Sequence, residues 1–218
     1  MESYSKACQY STRLIEKLES SDLQNTLDFD LIDKAIYWAK KYHDGQYRKS
    51  GEPFYSHPLE VAYIVSDHLL HTNTIVASIL HDIVEDTEVT TGIILDEFGW
   101  RIAEIVDRLT RDRPDGTKLS VEEILDNAYE QNDEEVLLIK CCDRLHNLQT
   151  IETMGETKKE KTCRESIKAT LLACFYIGNN SLADSLQELA LKPINKFQKQ
   201  EFSYLKNNRR SYPEFLVS

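Results

Sequence analysis

A chain of 218 residues, 41% of them apolar, is long enough for one substantial core, and seven glycines and five prolines are too few for the turns of a strand-rich fold. A formal net charge of −11 argues against a generic nucleic-acid binder, which needs a basic stripe. The N-terminus lacks a basic segment followed by an apolar run, and no stretch of about 18 apolar residues occurs, so no signal peptide, no membrane span and a cytoplasmic location are expected.

Residues 1–27 are polar with scattered apolar positions and read as an N-terminal extension holding one short helix. Leu31, Ile32, Ala35, Ile36 and Ala39 then repeat at helical spacing over 31–42. A loop over 43–57 carries Gly45, Gly51 and Pro53. Helical patterns resume over 58–70, 74–86, 90–98, 100–111, 120–131 and 134–150, with a surface loop at 112–117. Lys158 to Lys161 is a charged linker, followed by helices over 162–178 and 181–191. Residues 192–218 read as a polar tail, in which Pro193 opens a last short helix. The fold class is therefore all-α, with the main domain over 28–191. Five cysteines (Cys8, Cys141, Cys142, Cys163 and Cys174) without a CxxC suit a reducing compartment, not a disulfide framework or a cysteine zinc site.

Three segments carry chemistry. In Ser78-Ile-Leu-His81-Asp82-Ile-Val-Glu85-Asp86-Thr87, a continuous helix places Glu85, Asp82 and Asp86 at about 40°, 100° and 140° from His81, opposite an apolar arc. Carboxylates so crowded repel one another and, near a helix C-terminus, oppose the helix dipole, unless a cation sits among them. A solvated acidic face is the competing reading. In Leu137 to Thr150, Leu137, Leu138, Cys141, Cys142, Leu145 and Leu148 form a core arc, while Lys140, Asp143, Arg144 and Asn147 share the other arc with Thr150 beside Asp143. An ordinary amphipathic helix is the alternative. In Tyr47-Arg48-Lys49-Ser-Gly-Glu-Pro-Phe-Tyr-Ser-His57-Pro58, a histidine precedes a helix opened by Pro58. Two imidazoles and two carboxylates together suit one divalent ion acting as a Lewis acid; Mn²⁺ fits the mixture, and Fe²⁺, Zn²⁺ and Mg²⁺ remain compatible.

At these residues the sequence resembles the hydrolase domain of the RelA/SpoT-homologue family within the HD superfamily. The matching stretches are YRKSGEPFYSHPLEVA (47–62), ASILHDIVEDT (77–87), FGWRIAEIVDRLTR (98–111) and IKCCDRLHNLQT (139–150), in family order over about 120 residues. The resemblance implies a bundle of roughly ten helices around one Mn²⁺ held by His57, His81, Asp82 and Asp143. It implies hydrolysis of the 3′-pyrophosphate of ppGpp and pppGpp to GDP or GTP and pyrophosphate. By match, Glu85 and Asp86 are the catalytic acids that handle water, and Arg48, Lys49, Asn147 and Thr150 contact the nucleotide. The basic side chains, with Lys140 and Arg144, would meet the anion inside an acidic protein. No nucleic-acid or membrane partner is implied.

The chain departs from the family in two ways. It is too short for the synthetase and regulatory domains of long members, so no synthetase activity is expected. After Lys158 it reads KTCRESIKATLLACFYIGNN in place of the family's usual wording, and Gln149 stands where long members often carry a basic residue, so the base pocket is the least determined part. An NADPH phosphatase, or another HD-type nucleotide phosphohydrolase, is the alternative enzyme; a nucleotide-binding regulatory module without turnover is the alternative class.

Overall fold

The computed structural model describes residues 6–153 and 170–192, together with Gly155, Lys159, Thr162, Cys163 and Ser166. Eleven α-helical segments are present among these: α1 (Gln9–Ser21), α2 (Phe29–Tyr42), α3 (Ser56–Val65), α4 (Thr72–Leu80), α5 (Ile83–Asp86), α6 (Thr91–Phe98), α7 (Trp100–Leu109), α8 (Val121–Glu130), α9 (Glu134–Gln149), α10 (Leu171–Tyr176) and α11 (Asn180–Leu191). A 3₁₀ turn follows α9 at Ile151–Thr153. Among the described residues the only β pairing is two isolated bridges, Tyr47 with Pro53 and Asp112 with Lys118, each closing a loop. The all-α expectation is borne out. The polar tail, its helix at Pro193, and most of the linker and of the 162–178 helix lie outside the described residues.

Helix ends follow local chemistry. Asp28, Thr90, Asp133 and Asn179 accept from backbone amides at the starts of α2, α6, α9 and α11. Ser120 and Glu123 form a reciprocal capping box on α8. Gly99, at φ +85°, ends α6 and begins α7, a backbone turn that a side chain would strain.

The core sits around α9, which packs against α3, α4, α7, α8, α10 and α11. Its expected apolar arc is buried in full, from Leu137 to Leu148. The opposite arc is not a solvated face, however: Lys140, Asp143, Arg144 and His146 are buried too. The ordinary amphipathic reading of this helix therefore fails, because a second layer covers its polar side. At the other end of the chain, Leu14 and Leu18 seat α1 in the same core, against α3.

Two boundaries differ from expectation. Helix α3 begins at Ser56, so Pro58 occupies its third position, where a missing N–H still leaves no helical bond broken, and the helix ends at Val65 instead of continuing to 70. More consequentially, the continuous helix expected over 74–86 is interrupted at His81 and Asp82, between α4 and α5. Both residues keep nearly helical angles (φ −60°, ψ −29° and φ −98°, ψ −7°), so apolar periodicity runs through the break and hides it.

Candidate metal centre

Four elements converge on one point: the first turn of α3 with His57, the α4–α5 junction with His81 and Asp82, α5 with Glu85, and the middle of α9 with Asp143. Ligand atoms of His57, His81 and Asp143 lie within 4.8 Å of one another, and all three residues are buried. Asp82 reaches both imidazoles, Oδ1 at 3.1 Å from His81 Nε2 and Oδ2 at 3.5 Å from His57 Nε2. The structure thus brings the four expected ligand residues together.

The imidazoles are set for coordination. His81 Nδ1 donates to the Ser78 carbonyl at 2.7 Å, which leaves the Nε2 lone pair facing the cluster. That Nε2 is buried and has no hydrogen-bond partner among the described residues, an orphan acceptor that a divalent cation would satisfy. His57 Nδ1 is 2.7 Å from His146 Nδ1. For Nε2 of His57 to present a lone pair, Nδ1 keeps the proton and His146 accepts it. Burial holds His57 below the ordinary imidazole range, and burial with His57 and Arg48 nearby pushes His146 down to about 3, so both rings are neutral.

Burial alone would raise Asp143, but the Lys140 ammonium beside it outweighs burial and holds the carboxyl well below the usual range. Its Oδ1 lies 3.2 Å from His57 Nε2 and accepts from Asn147 Nδ2 at 2.6 Å; its Oδ2 lies 3.1 Å from Lys140 Nζ. Asn147 in turn accepts from Arg48 Nη2 at 3.2 Å, which ties the loop before α3 to α9.

The cluster opens into a cleft of about 410 Å³. Of the expected residues, Arg48, Lys49, His57, Asp82, Glu85, Lys140, Asp143, Arg144, Asn147 and Thr150 line it, joined by Arg111. Glu85 Oε1 accepts the backbone N–H of Arg111, which fixes its carboxylate at the wall. Asp86 is not among the residues that line the cleft. Lost hydration from the surrounding protein, with Asp82 and Glu85 close by, pushes its carboxyl up to about 6. Gln46 Nε2 donates to the Asp86 carbonyl, and Gln46 Oε1 lies 2.9 Å from Nδ1 of the buried His43. Sequence reasoning missed His146, His43 and Gln46; the signal for His146 was its i+3 spacing from Asp143 on one helix.

Residues 35–170 match the family model described as "HD domain". The chain belongs to the HD domain family. Among curated proteins, this HD domain is similar to a GTP pyrophosphokinase of Myxococcus xanthus, 34% identical over 84% of this chain and 25% of that protein. It is similar as well to a guanosine-3′,5′-bis(diphosphate) 3′-pyrophosphohydrolase of Aquifex aeolicus, 32% identical over 93% of this chain and 29% of that protein. The chain thus spans about a quarter of the length of these relatives. A solved structure, described as a metazoan ortholog of SpoT that hydrolyzes ppGpp, matches 79% of this chain and 96% of its own with a TM-score of 0.62 at 20% identity, a likeness that shows the fold. The resemblance read from the motifs is borne out. No helix among the described residues is long and apolar enough to cross a membrane.

Proposed function

We propose that this HD domain is a metal-dependent (p)ppGpp 3′-pyrophosphohydrolase acting in the cytoplasm, without synthetase activity. The observation that carries the reading is the buried cluster of His57, His81 and Asp143, with Asp82 against it, opening on a cleft lined by five cations in a chain of net charge −11. That arrangement suits a small polyanion and not a neutral or cationic substrate. The naming of the Aquifex aeolicus relative and of the SpoT ortholog supports the choice of alarmone.

His57, His81, Asp82 and Asp143 would hold the ion, and Mn²⁺ suits two imidazoles with two carboxylates. When bound, the ion supplies Lewis-acid polarisation of a phosphate oxygen and makes water a better nucleophile at neutral pH. Glu85, fixed by the Arg111 amide, has a second oxygen with no hydrogen-bond partner among the described residues, available to orient water and accept its proton. Asp86, one residue on and close enough to Asp82 and Glu85 for their charges to act on it, is the second acid of the pair. Water oxygen bonds to the phosphorus, the bond from phosphorus to the 3′-oxygen breaks, and a proton passes to that oxygen. Arg48 and Asn147, already joined, form one wall for the nucleotide, with Lys49 exposed at the mouth and Thr150 a turn away.

The test is product analysis by anion-exchange chromatography, with ppGpp and NADPH offered separately, each with Mn²⁺ and with chelator. GDP plus pyrophosphate in the Mn²⁺ arm alone is the expected result. NADH plus phosphate as the faster product moves the protein to the NADPH reading, and ppGpp binding without product moves it to a regulatory module. With ATP and GDP, no pyrophosphate transfer is expected.

A further inference from the structure

The five cations of the cleft are not equivalent. Lys140 is paired with Asp143. Arg48 donates to Asn147, and Arg111 donates Nε to the Leu119 carbonyl at 2.8 Å. Lys49 is exposed, so water satisfies it. Arg144 differs from all four. It is 9% exposed, its Nε is enclosed with no hydrogen-bond partner, and no carboxylate among the described residues pairs with it.

A guanidinium has five donors and does not deprotonate in a protein, so it cannot escape burial by becoming neutral. A buried, unpaired charge is among the costliest arrangements a core can hold. None of the nearby acids pairs with it: both oxygens of Asp143 have other partners, Asp82 faces the imidazoles, and Glu85 holds the Arg111 amide with one oxygen and makes no ion pair with Arg144. An anion entering the cleft would supply the missing counter-charge. Arg144 immediately follows the ligand Asp143 on α9 and lines the same cleft, so an anion there lies beside the reacting phosphate. A forked, multi-donor cation matches a phosphoryl group with several free oxygens.

We propose that Arg144 is the receptor for the pyrophosphoryl group and for the pyrophosphate it becomes when water captures it, and that inorganic pyrophosphate is consequently a ligand and product inhibitor of this cleft. The identity of the anion rests on the hydrolase reading above; the existence of an anion site at Arg144 does not. During hydrolysis Arg144 forms no covalent bond. It holds the non-bridging oxygens of the pyrophosphoryl group while water oxygen bonds to the phosphorus, the bond to the 3′-oxygen breaks and that oxygen leaves with a proton.

The experiment is calorimetric titration of the purified, metal-loaded protein with sodium pyrophosphate, for the parent, Arg144→Met and Arg144→Gln, alongside thermal unfolding without ligand. Arg144→Met should weaken pyrophosphate by about tenfold or more, the loss expected for hydrogen bonds to a charged group. It should unfold no earlier than the parent, since replacing an unpaired buried charge with an apolar chain of similar length is neutral or stabilising. A purely structural arginine would give the opposite pair of results. Parent protein that takes up no pyrophosphate, or a variant that binds within twofold of the parent, overturns the proposal; if Arg144→Met does not fold, Arg144→Gln decides by the same criterion. Because binding is read without turnover, pyrophosphate held through Arg144 in a protein that leaves ppGpp intact would retain this site and refute the hydrolase reading.

Discussion

Asp143 has two oxygens and four neighbours that contend for them: His57, His81, Asn147 and Lys140. Such a residue is legible in a sequence because its demands are local: two of its partners lie three and four residues away on the same helix. His57 and His81 were legible for another reason, since each stands in a motif whose neighbours are as distinctive as itself. His146 was not, because its role is defined only by the approach of α3, which brings His57 Nδ1 against it. His146→Ala should leave the ligand set intact yet lower metal affinity by about 10–100-fold, read by competition with a chromogenic chelator. Asp86 gives a signed pH prediction. Its folded pKa of about 6 lies above the ordinary carboxylate value, so the folded state holds the proton longer than the unfolded one. In metal-free protein, stability from this group falls as pH rises from about 4 to 6 and stays low above that. Asp86→Asn should therefore melt above the parent at pH 7, and the difference should close as pH falls toward 4.

The elements were mostly readable, and the exceptions share a cause. Periodicity reports which residues face the core; it does not report whether a backbone hydrogen bond is broken, so the interruption at His81 and Asp82 stayed hidden. Nor does it distinguish a helix with one solvated face from one buried on both, which is why α9 read as amphipathic. The entry to α9 is a stronger test of element-level energetics. Asp133, its side chain 2% exposed, caps α9 through the Val136 amide and accepts from both Arg101 and Arg108 of α7. Asp133→Ala removes the cap and one carboxylate partner from each of two guanidiniums, which are about 29% and 28% exposed and keep Glu104, and for Arg101 also Glu135. The expected cost is about 2 kcal/mol in urea unfolding. Asp133→Asn, itself a good cap, should recover about 1 kcal/mol of it.

At the scale of the molecule, the acidic total charge and the cationic cleft are compatible because screening confines each to its neighbourhood, with a Debye length of about 8 Å at physiological ionic strength. The N-terminal helix was harder to place from sequence than any other element with clear periodicity, since its surroundings are polar and only Leu14 and Leu18 among its residues are fully enclosed. The structure docks it through those leucines, through Arg13 with Glu60, and through Lys17 with Asp67 and the Tyr63 carbonyl. Leu18→Ala should cost about 2–5 kcal/mol, as a core truncation does, whereas a dispensable extension would lose almost nothing; chemical denaturation separates the two.

The convergence of α3, the α4–α5 junction and α9 on one point has a further meaning for the chain as a polymer. His57, His81 and Asp143 are far apart along the sequence, so a single ion gripping all three ties off two long loops at once. In the unfolded chain those loops wander freely, and closing them is entropically costly by an amount that grows only slowly with length. The ion would thus act as a removable three-way crosslink, lending a helical bundle whose five cysteines are all free the kind of topological restraint that other proteins obtain from cystine bridges.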